Sequence, residues 1–259
     1  MKVLSVIGTT KTGKTTTIEN IIRELRRRRY TVGSVKEIHF EKFAIDTEGT
    51  NTDRHKKAGS QLVTARGIYE TDILFQKKLS MDQLLRFYDH DFVILEGVTD
   101  INAPRIITAV EKEDIEMKYD ELTFCISGAI SNTGITEYKG IPVISSVDNI
   151  KELVDLIEEK VYDRLPDFPA ECCDACGFTC RKLGARILRG EAKHEDCKIL
   201  NTKVQLLVDN NKIQIVPFVE DILTNAVLGV VKELEGYKKG KEIRVIIDEG
   251  FKDPCVSEH

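Results

Sequence analysis

No apolar run in this 259-residue sequence approaches the roughly 20 residues that a helix needs to cross a bilayer, so no membrane span is expected. The opening stretch MKVLSVIG carries one lysine and an apolar run too short for a secretory leader, with no small-residue cleavage site behind it. It is expected to be a buried strand, and the protein to be cytoplasmic. An excess of positive charge is also missing. The net charge of −5 argues against a general nucleic-acid binder. The one basic run, Arg26 to Arg29, falls where a first helix should end, and cations there favour the helix dipole. Internal repeats and low-complexity tracts are absent too. What remains is a chain with 41% apolar and 31% charged residues, which is the composition of a globular protein with one large or two modest cores.

Residues 1–164 alternate in type. Strand-like runs are KVLSVI, TVGSVK, DILFQ, FVILEG, LTFCIS and PVISS. Helical faces lie between them, at Ile18, Ile21, Ile22 and Leu25, and again at Ile150, Leu153, Val154 and Ile157 with Asp148 as N-cap. Short, almost wholly apolar strands alternating with helices predict a mostly parallel sheet covered on both faces. The two prolines of DRLPDFPAE (163–171) predict a linker. From about residue 203 the pattern changes. VQLLV and KIQIV flank DNN as a hairpin, a helical face runs from Val219 to Leu234, and IRVII (243–247) closes with a strand. The expected architecture is an α/β P-loop domain over 1–164, a cysteine-rich segment over 165–202, and a small β-β-α-β unit over 203–259 with no obvious catalytic cluster.

The sharpest motif is G-x-x-x-x-G-K-T at Gly8, Gly13, Lys14 and Thr15, between an apolar strand and an amphipathic helix. The glycines let successive backbone N–H groups turn toward a phosphate. Lys14 would reach the β- and γ-phosphates, and the Thr15 hydroxyl would hold Mg²⁺. The helix that starts there aims the positive end of its dipole at the same anion. Gly8, Thr12, Gly13, Lys14, Thr15 and Thr16 are the expected nucleotide-binding residues. FVILEG ends in Glu96-Gly97, and a carboxylate at the end of a strand beside the loop is placed to hold or orient Mg²⁺. The polar segment 43–63 reads as a functional loop leading into a helix. Its Asp46, Asp53, Arg54 and His55 are candidates to approach the γ-phosphate, against the plainer reading of a solvated loop with Asp53 as an N-cap. No N-K-x-D string fixes guanine, so GTP and ATP both fit the motif. SSVD (145–148) is a possible base-edge position.

These pieces together resemble the molybdopterin-guanine dinucleotide biosynthesis protein B (MobB) family over about residues 1–160. The similarity rests on GKTTT, RRRYTVGSVK, IDTEGTNTDRHKKAG and ILEG, and most specifically on Asp46, Gly49, Arg54, His55, Ala58 and Gly59. The chain departs from the family pattern at Glu37, where a histidine is usual, at Ala44, where an aspartate is frequent, and at Val98-Thr99, where Phe-Lys is common. The resemblance implies a nucleotide-binding protein associated with GTP. It also implies a partner in molybdopterin cofactor maturation and pairing as a homodimer. Lys14, Asp46 and Glu96 would carry any slow hydrolysis.

Seven cysteines in a cytoplasmic chain should be thiols, and their clustering points to metal. Cys173, Cys176, Cys180 and Cys197 read C-x2-C-x3-C-x16-C, with Cys172 able to replace Cys173. Zinc prefers two C-x2-C knuckles and this segment has one, whereas three close cysteines and a distant fourth suit a [4Fe–4S] cluster. A helix, RKLGARILRG, separates the last two, with Leu183, Ile187 and Leu188 on one face and Gly190 as its stop. This segment resembles the small iron–sulfur domain of corrinoid iron–sulfur proteins, whose pattern is one residue longer between its second and third cysteines. His194 reads as a helix-end residue rather than a ligand, Cys125 as core, and Cys255 as incidental. The expected function is a GTP-binding, slowly hydrolysing accessory protein with Mg²⁺ and a fused [4Fe–4S] domain. Its alternatives are a nucleotide-binding adapter without turnover and a small-molecule kinase, though no Arg-rich lid of the kinase kind is evident.

Overall fold

The computed structural model describes residues 1–40, 43–168, 173, 175–201, 204–208, 211–213 and 215–247. The chain divides into two compact units, Met1–Thr202 and Lys203–His259. In the first unit β1 (Lys2–Gly8) leads into α1 (Lys14–Arg27), β2 (Val32–Lys36) and α2 (Asn51–Lys57). A hairpin of β3 (Leu62–Arg66) and β4 (Thr71–Phe75) precedes α3 (Met81–Leu85) and β5 (Phe92–Glu96). Then come β6 (Arg105–Thr108), α4 (Lys112–Lys118), β7 (Thr123–Ser127), the short pair β8 (Glu137–Tyr138) and β9 (Ile141–Pro142), α5 (Ile150–Lys160) and α6 (Cys180–Leu188).

The sheet runs in the order β2-β5-β1-β6-β7, and every neighbouring pair is parallel. β1 is central. Val3 pairs with Val93 and Val6 with Glu96 on one side, and Val6 with Ile106 on the other. Val3, Leu4, Val6 and Ile7 are all buried, because helices cover both faces and neither face of the pleat meets water. One face carries a cluster of Val3, Val93 and Leu95 with Met81 and Leu85 of α3, and a second of Ile7, Ile107 and Ile126 with Ile115 of α4. On α1, Ile18, Ile21 and Leu25 are buried at helical spacing. Its basic end is held by Glu24, which accepts from Arg27 at 2.7 Å and Arg28 at 3.0 Å. Arg28 reaches on to Asp155 (2.6 Å) and Glu158 (2.7 Å) of α5.

Several elements differ from their expected form. DILFQ contributes β4, but to the two-stranded hairpin rather than the main sheet. β6 takes the sheet position instead; its four residues after Pro104 are too few to announce themselves in sequence. Of PVISS, Pro142 pairs with β8 and Val143 makes one parallel bridge to Ile126. The N-cap of α5 is Asn149 rather than Asp148, whose carboxylate instead accepts from the Ser145 hydroxyl at 2.9 Å. The expected linker is strapped down over its described part. Asp163 bridges to Lys2 and takes the N-terminal amine at 2.7 Å, Arg164 reaches Asp82 at 2.8 Å, and Leu165 is buried.

In the second unit β10 (Leu206–Val208) and β11 (Asn211–Ile213) form an antiparallel hairpin. α7 (Pro217–Val231) follows with proline in its first turn, where a missing N–H costs nothing. The strand expected at 243–247 is not formed. These residues join no ladder among those described, and Ile246 and Ile247 are exposed; β propensity alone does not make a strand without a partner.

Candidate functional site

The loop between β1 and α1 lies where four parallel strands end, at Gly8, Glu96, Thr108 and Ser127. This is the end of an open α/β sheet at which ligands bind. Close packing explains the loop's glycines. A Cβ on Gly8 would stand 2.3 Å from the Thr108 carbonyl oxygen, and Gly13 adopts the left-handed region at φ +95°. Gly128, just past β7, is as tight: its φ is +88°, and a Cβ there would lie 2.3 Å from the Thr12 carbonyl oxygen. The Thr12 hydroxyl is buried between Thr9 O and Thr108 Oγ1, 2.9 Å from each. The first turn of α1 leaves its leading N–H groups without intrahelical acceptors, so Lys14, Thr15 and Thr16 turn their amides toward the loop mouth.

Lys14 Nζ donates to Gly8 O at 3.1 Å and also to Thr9 O. Burial pulls its pKa below the ordinary lysine value, opposed by the charge of Glu96. The Thr15 hydroxyl donates to Glu96 Oε1 at 3.0 Å, and Lys36 Nζ reaches the same oxygen at 2.6 Å. Thr15 and Lys36 therefore meet at Glu96, while the Lys14 ammonium lies on the loop carbonyls within the field of the same carboxylate. The hard oxygens of Thr15 and Glu96 are the donor type that Mg²⁺ takes.

Sequence reasoning missed Asp114. This buried carboxylate, in the first turn of α4, accepts from the Thr9 hydroxyl at 2.6 Å and from Val110 N at 2.9 Å. Those bonds, Thr9's foremost, hold its pKa below the usual range. The acidic start of α4 was the available signal. Gly128 was missed as well. On the α1 side, Thr17 Oγ1 lies 3.1 Å from Ser146 Oγ, and Asn20 donates to Ser146 O at 3.0 Å. SSVD is thus fastened to the helix that follows the phosphate loop.

Asp46 stands elsewhere. Its carboxylate accepts from Thr50 and Thr52, each at 2.9 Å, and pairs with Lys56 at 2.8 Å. The Lys56 bond leads in drawing its pKa down to about 2. Asp53 is not the N-cap of α2. Thr50 is, while Asp53 accepts from Gly49 N at 2.9 Å and pairs with Lys57 at 2.8 Å. At the family-variant position, Glu37 pairs with Lys78 at 2.6 Å.

The cysteine segment sits at the opposite rim, by the strands' first residues. Arg181 of α6 pairs with Asp120 at 2.8 Å, and Asp120 also pairs with buried Arg105, which opens β6. Leu183 and Leu188 of α6 are buried, Ile187 is half-buried, and the helix stops at Gly190 with φ +74°. Cys173, Cys176, Cys180 and Cys197 are free thiols, the last two buried. Burial pushes the Cys180 and Cys197 thiols up. Among the described residues no three His, Cys, Asp or Glu side chains stand together at distances that would hold one ion. Cys172 and Cys255 lie outside the described residues. Cys125 is a core residue, as expected, and burial pushes its thiol up to about 12.

The parallel sheet, the phosphate loop at its C-terminal edge and the strand-end glutamate define an α/β protein of the P-loop NTPase class. Residues 3–127 match the family model described as MobB, molybdopterin guanine dinucleotide synthesis protein B. The fold is similar to the crystal structure of Bacillus subtilis MobB, with a TM-score of 0.53 at 24% identity; 63% of this chain covers 100% of that one. A protein of Methanocaldococcus jannaschii, provisionally assigned as a molybdopterin-guanine dinucleotide biosynthesis adapter, is 28% identical over 255 residues, covering 96% of this chain and 98% of its own. The molybdopterin-guanine dinucleotide biosynthesis adapter protein of Haemophilus influenzae is 26% identical over 164 residues, covering 61% of this chain and 89% of its own. The archaeal likeness thus extends through the cysteine segment and most of the second unit, whereas the Bacillus chain is matched in full by under two thirds of this one. No helix among the described residues is long and apolar enough to cross a membrane.

Proposed function

We propose that the protein is a GTP-binding adapter in molybdopterin-guanine dinucleotide biosynthesis, which engages a protein partner of that pathway and pairs as a homodimer. The observation that carries the reading is the Thr15 hydroxyl at 3.0 Å from Glu96, at the end of the glycine loop that carries Lys14 and within residues 3–127, which match the MobB family model. Amides at the start of α1 and the Lys14 ammonium would take the phosphates. Thr15 and Glu96 would hold Mg²⁺, which supplies charge neutralisation between the phosphates. The loop holding Asp46 would change position when a γ-phosphate is bound, and so alter the surface offered to the partner.

Calorimetry with Mg²⁺ and GTP or ATP tests this. GTP should bind more tightly than ATP. Lys14→Ala should weaken binding about 100-fold, the loss of charge-assisted hydrogen bonds worth roughly 2.7 kcal/mol. No heat with either nucleotide at millimolar dose would sink the proposal.

An adapter without turnover is favoured by one observation: Asp46 is engaged by Thr50, Thr52 and Lys56 of its own loop. Single-turnover assays separate the two forms. Hydrolysis above the Lys14→Ala background supports a slow GTPase, and hydrolysis equal to it supports the adapter alone. The cysteine segment adds a second component to the proposal, a [4Fe–4S] domain joined to the nucleotide-binding one.

A further inference from the structure

We propose that Asp114 is a positioning residue of the phosphate loop: through the Thr9 hydroxyl it fixes the carbonyl oxygen on which the Lys14 ammonium sits. The inference deepens the nucleotide reading above, and rests on it for the role of Lys14 toward phosphate.

Thr9 follows the glycine that ends β1, and its two polar groups are tied in different directions. Its hydroxyl donates to Asp114 Oδ1 at 2.6 Å. Its carbonyl oxygen accepts from Lys14 Nζ and, at 2.9 Å, from the Thr12 hydroxyl. Gly8 O, one residue earlier, accepts from the same ammonium at 3.1 Å. The loop therefore closes on itself at Thr9, and Asp114 holds Thr9 from outside the loop. This carboxylate is a firm post. It is buried, and its second oxygen accepts from Val110 N at 2.9 Å and from Glu111 N at 3.4 Å, at the start of α4. The next residue, Ile115, packs in the core with Ile7 of β1 and Ile107 of β6. Asp114 thus cannot turn from Thr9 without disturbing the start of α4. Capping that helix uses Oδ2 alone, so the bond from Oδ1 to Thr9 has a purpose beyond the cap.

The influence on Lys14 runs through contact rather than through charge. Burial leads in lowering the Lys14 pKa, and the charges that act on it are those of Glu96, Lys36 and Lys118; Asp114 is not one of them. What reaches Lys14 from Asp114 is the placement of Thr9 O. That placement matters because the loop grips phosphate with Lys14 and with successive amides whose spacing is fixed by its path. A loop held in one shape binds more tightly than one that must first be ordered. With Thr9 released, the competent shape becomes a fraction of the population, and apparent affinity falls by that fraction.

The test uses the full chain and two readouts. On the chain alone, the rate at which an amine-acylating reagent labels Lys14 is followed by peptide mass spectrometry. It should rise about threefold in Thr9→Val, as the ammonium loses its fixed seat, and return to the parent rate in Thr9→Ser, which keeps the donor. Calorimetry with Mg²⁺ and either tripolyphosphate or GTP should then show the same loss for both ligands in Thr9→Val, roughly tenfold. Asp114→Ala also uncaps α4, so the pair is judged by a double-mutant cycle: adding Thr9→Val to Asp114→Ala should bring no further loss. Losses that add in the double variant overturn the link between the two residues. Parent labelling and parent affinity in Thr9→Val, with only Tm lowered, would make both residues structural and overturn the proposal. An unaltered chain that binds neither ligand sinks the nucleotide reading, and the labelling series still decides whether Thr9 holds Lys14.

Discussion

At the scale of single residues, the phosphate loop is shaped by what surrounds it as much as by its own motif. Gly8 and Gly13 are legible because the motif demands them, and the structure supplies their reasons, the Thr108 carbonyl beside one and a left-handed φ at the other. Gly128 and Asp114 belong to no such string. Their roles depend on β7 and α4 arriving beside the loop, which only the sheet order creates. Gly128→Ala is therefore an informative variant. Its methyl would meet the Thr12 carbonyl oxygen at 2.3 Å from a backbone at φ +88°. A left-handed φ costs an ordinary residue about 1–2 kcal/mol, and the clash displaces the loop. GTP affinity should fall by at least about tenfold, while circular dichroism keeps its helical signal and Tm drops by a few degrees. Unchanged affinity would show that the loop tolerates displacement at Thr12.

At the scale of elements, periodicity sufficed where a strand or helix was long and uniformly apolar. β1, β2, β5, β7, α1 and α5 could be seen in this way. β6 could not, since RIIT is four residues long and follows Pro104. DILFQ was seen as a strand and misplaced, because local pattern says nothing about which partner a strand finds. The segment 163–168 looked like a linker because its prolines interrupt every periodicity, yet Asp163, Arg164 and Leu165 are each anchored. Nothing local announces an ion pair to the chain's own first residue. The latch between α1 and α5 carries a pH signature. Hydrogen bonds from Arg27, ahead of those from Arg28, hold the Glu24 carboxyl down at about 2, against an ordinary 4.5. A depressed carboxylate stabilises the fold fully above its unfolded value, and that contribution is lost as pH falls from 4.5 toward 2. Glu24→Gln should remove about 2 kcal/mol of stability at pH 7 and flatten the acid limb of a denaturation series. An acid limb identical to that of the parent chain would contradict this.

At the scale of the whole first unit, one sheet separates the phosphate loop from α6. The strands' last residues frame the phosphate loop, and their first residues receive α6 and the cysteines. A five-residue strand spans roughly 16 Å, so neither site touches the other. Tyr162→Phe should leave the GTP dissociation constant within about twofold of the parent value. A tenfold effect in either direction would reveal coupling carried through the strands.

The anchoring of residues 163–168 bears on how the molecule is put to use. This strap ties residues 163–165 to the amino terminus of the chain and to α3, so the stretch that leaves α5 is held against the underside of the sheet. A partner that reads α6 must come to the underside of the sheet, while one that reads the phosphate loop must come to the top. A single visitor that touches both has to reach around the first unit from one rim of its sheet to the other.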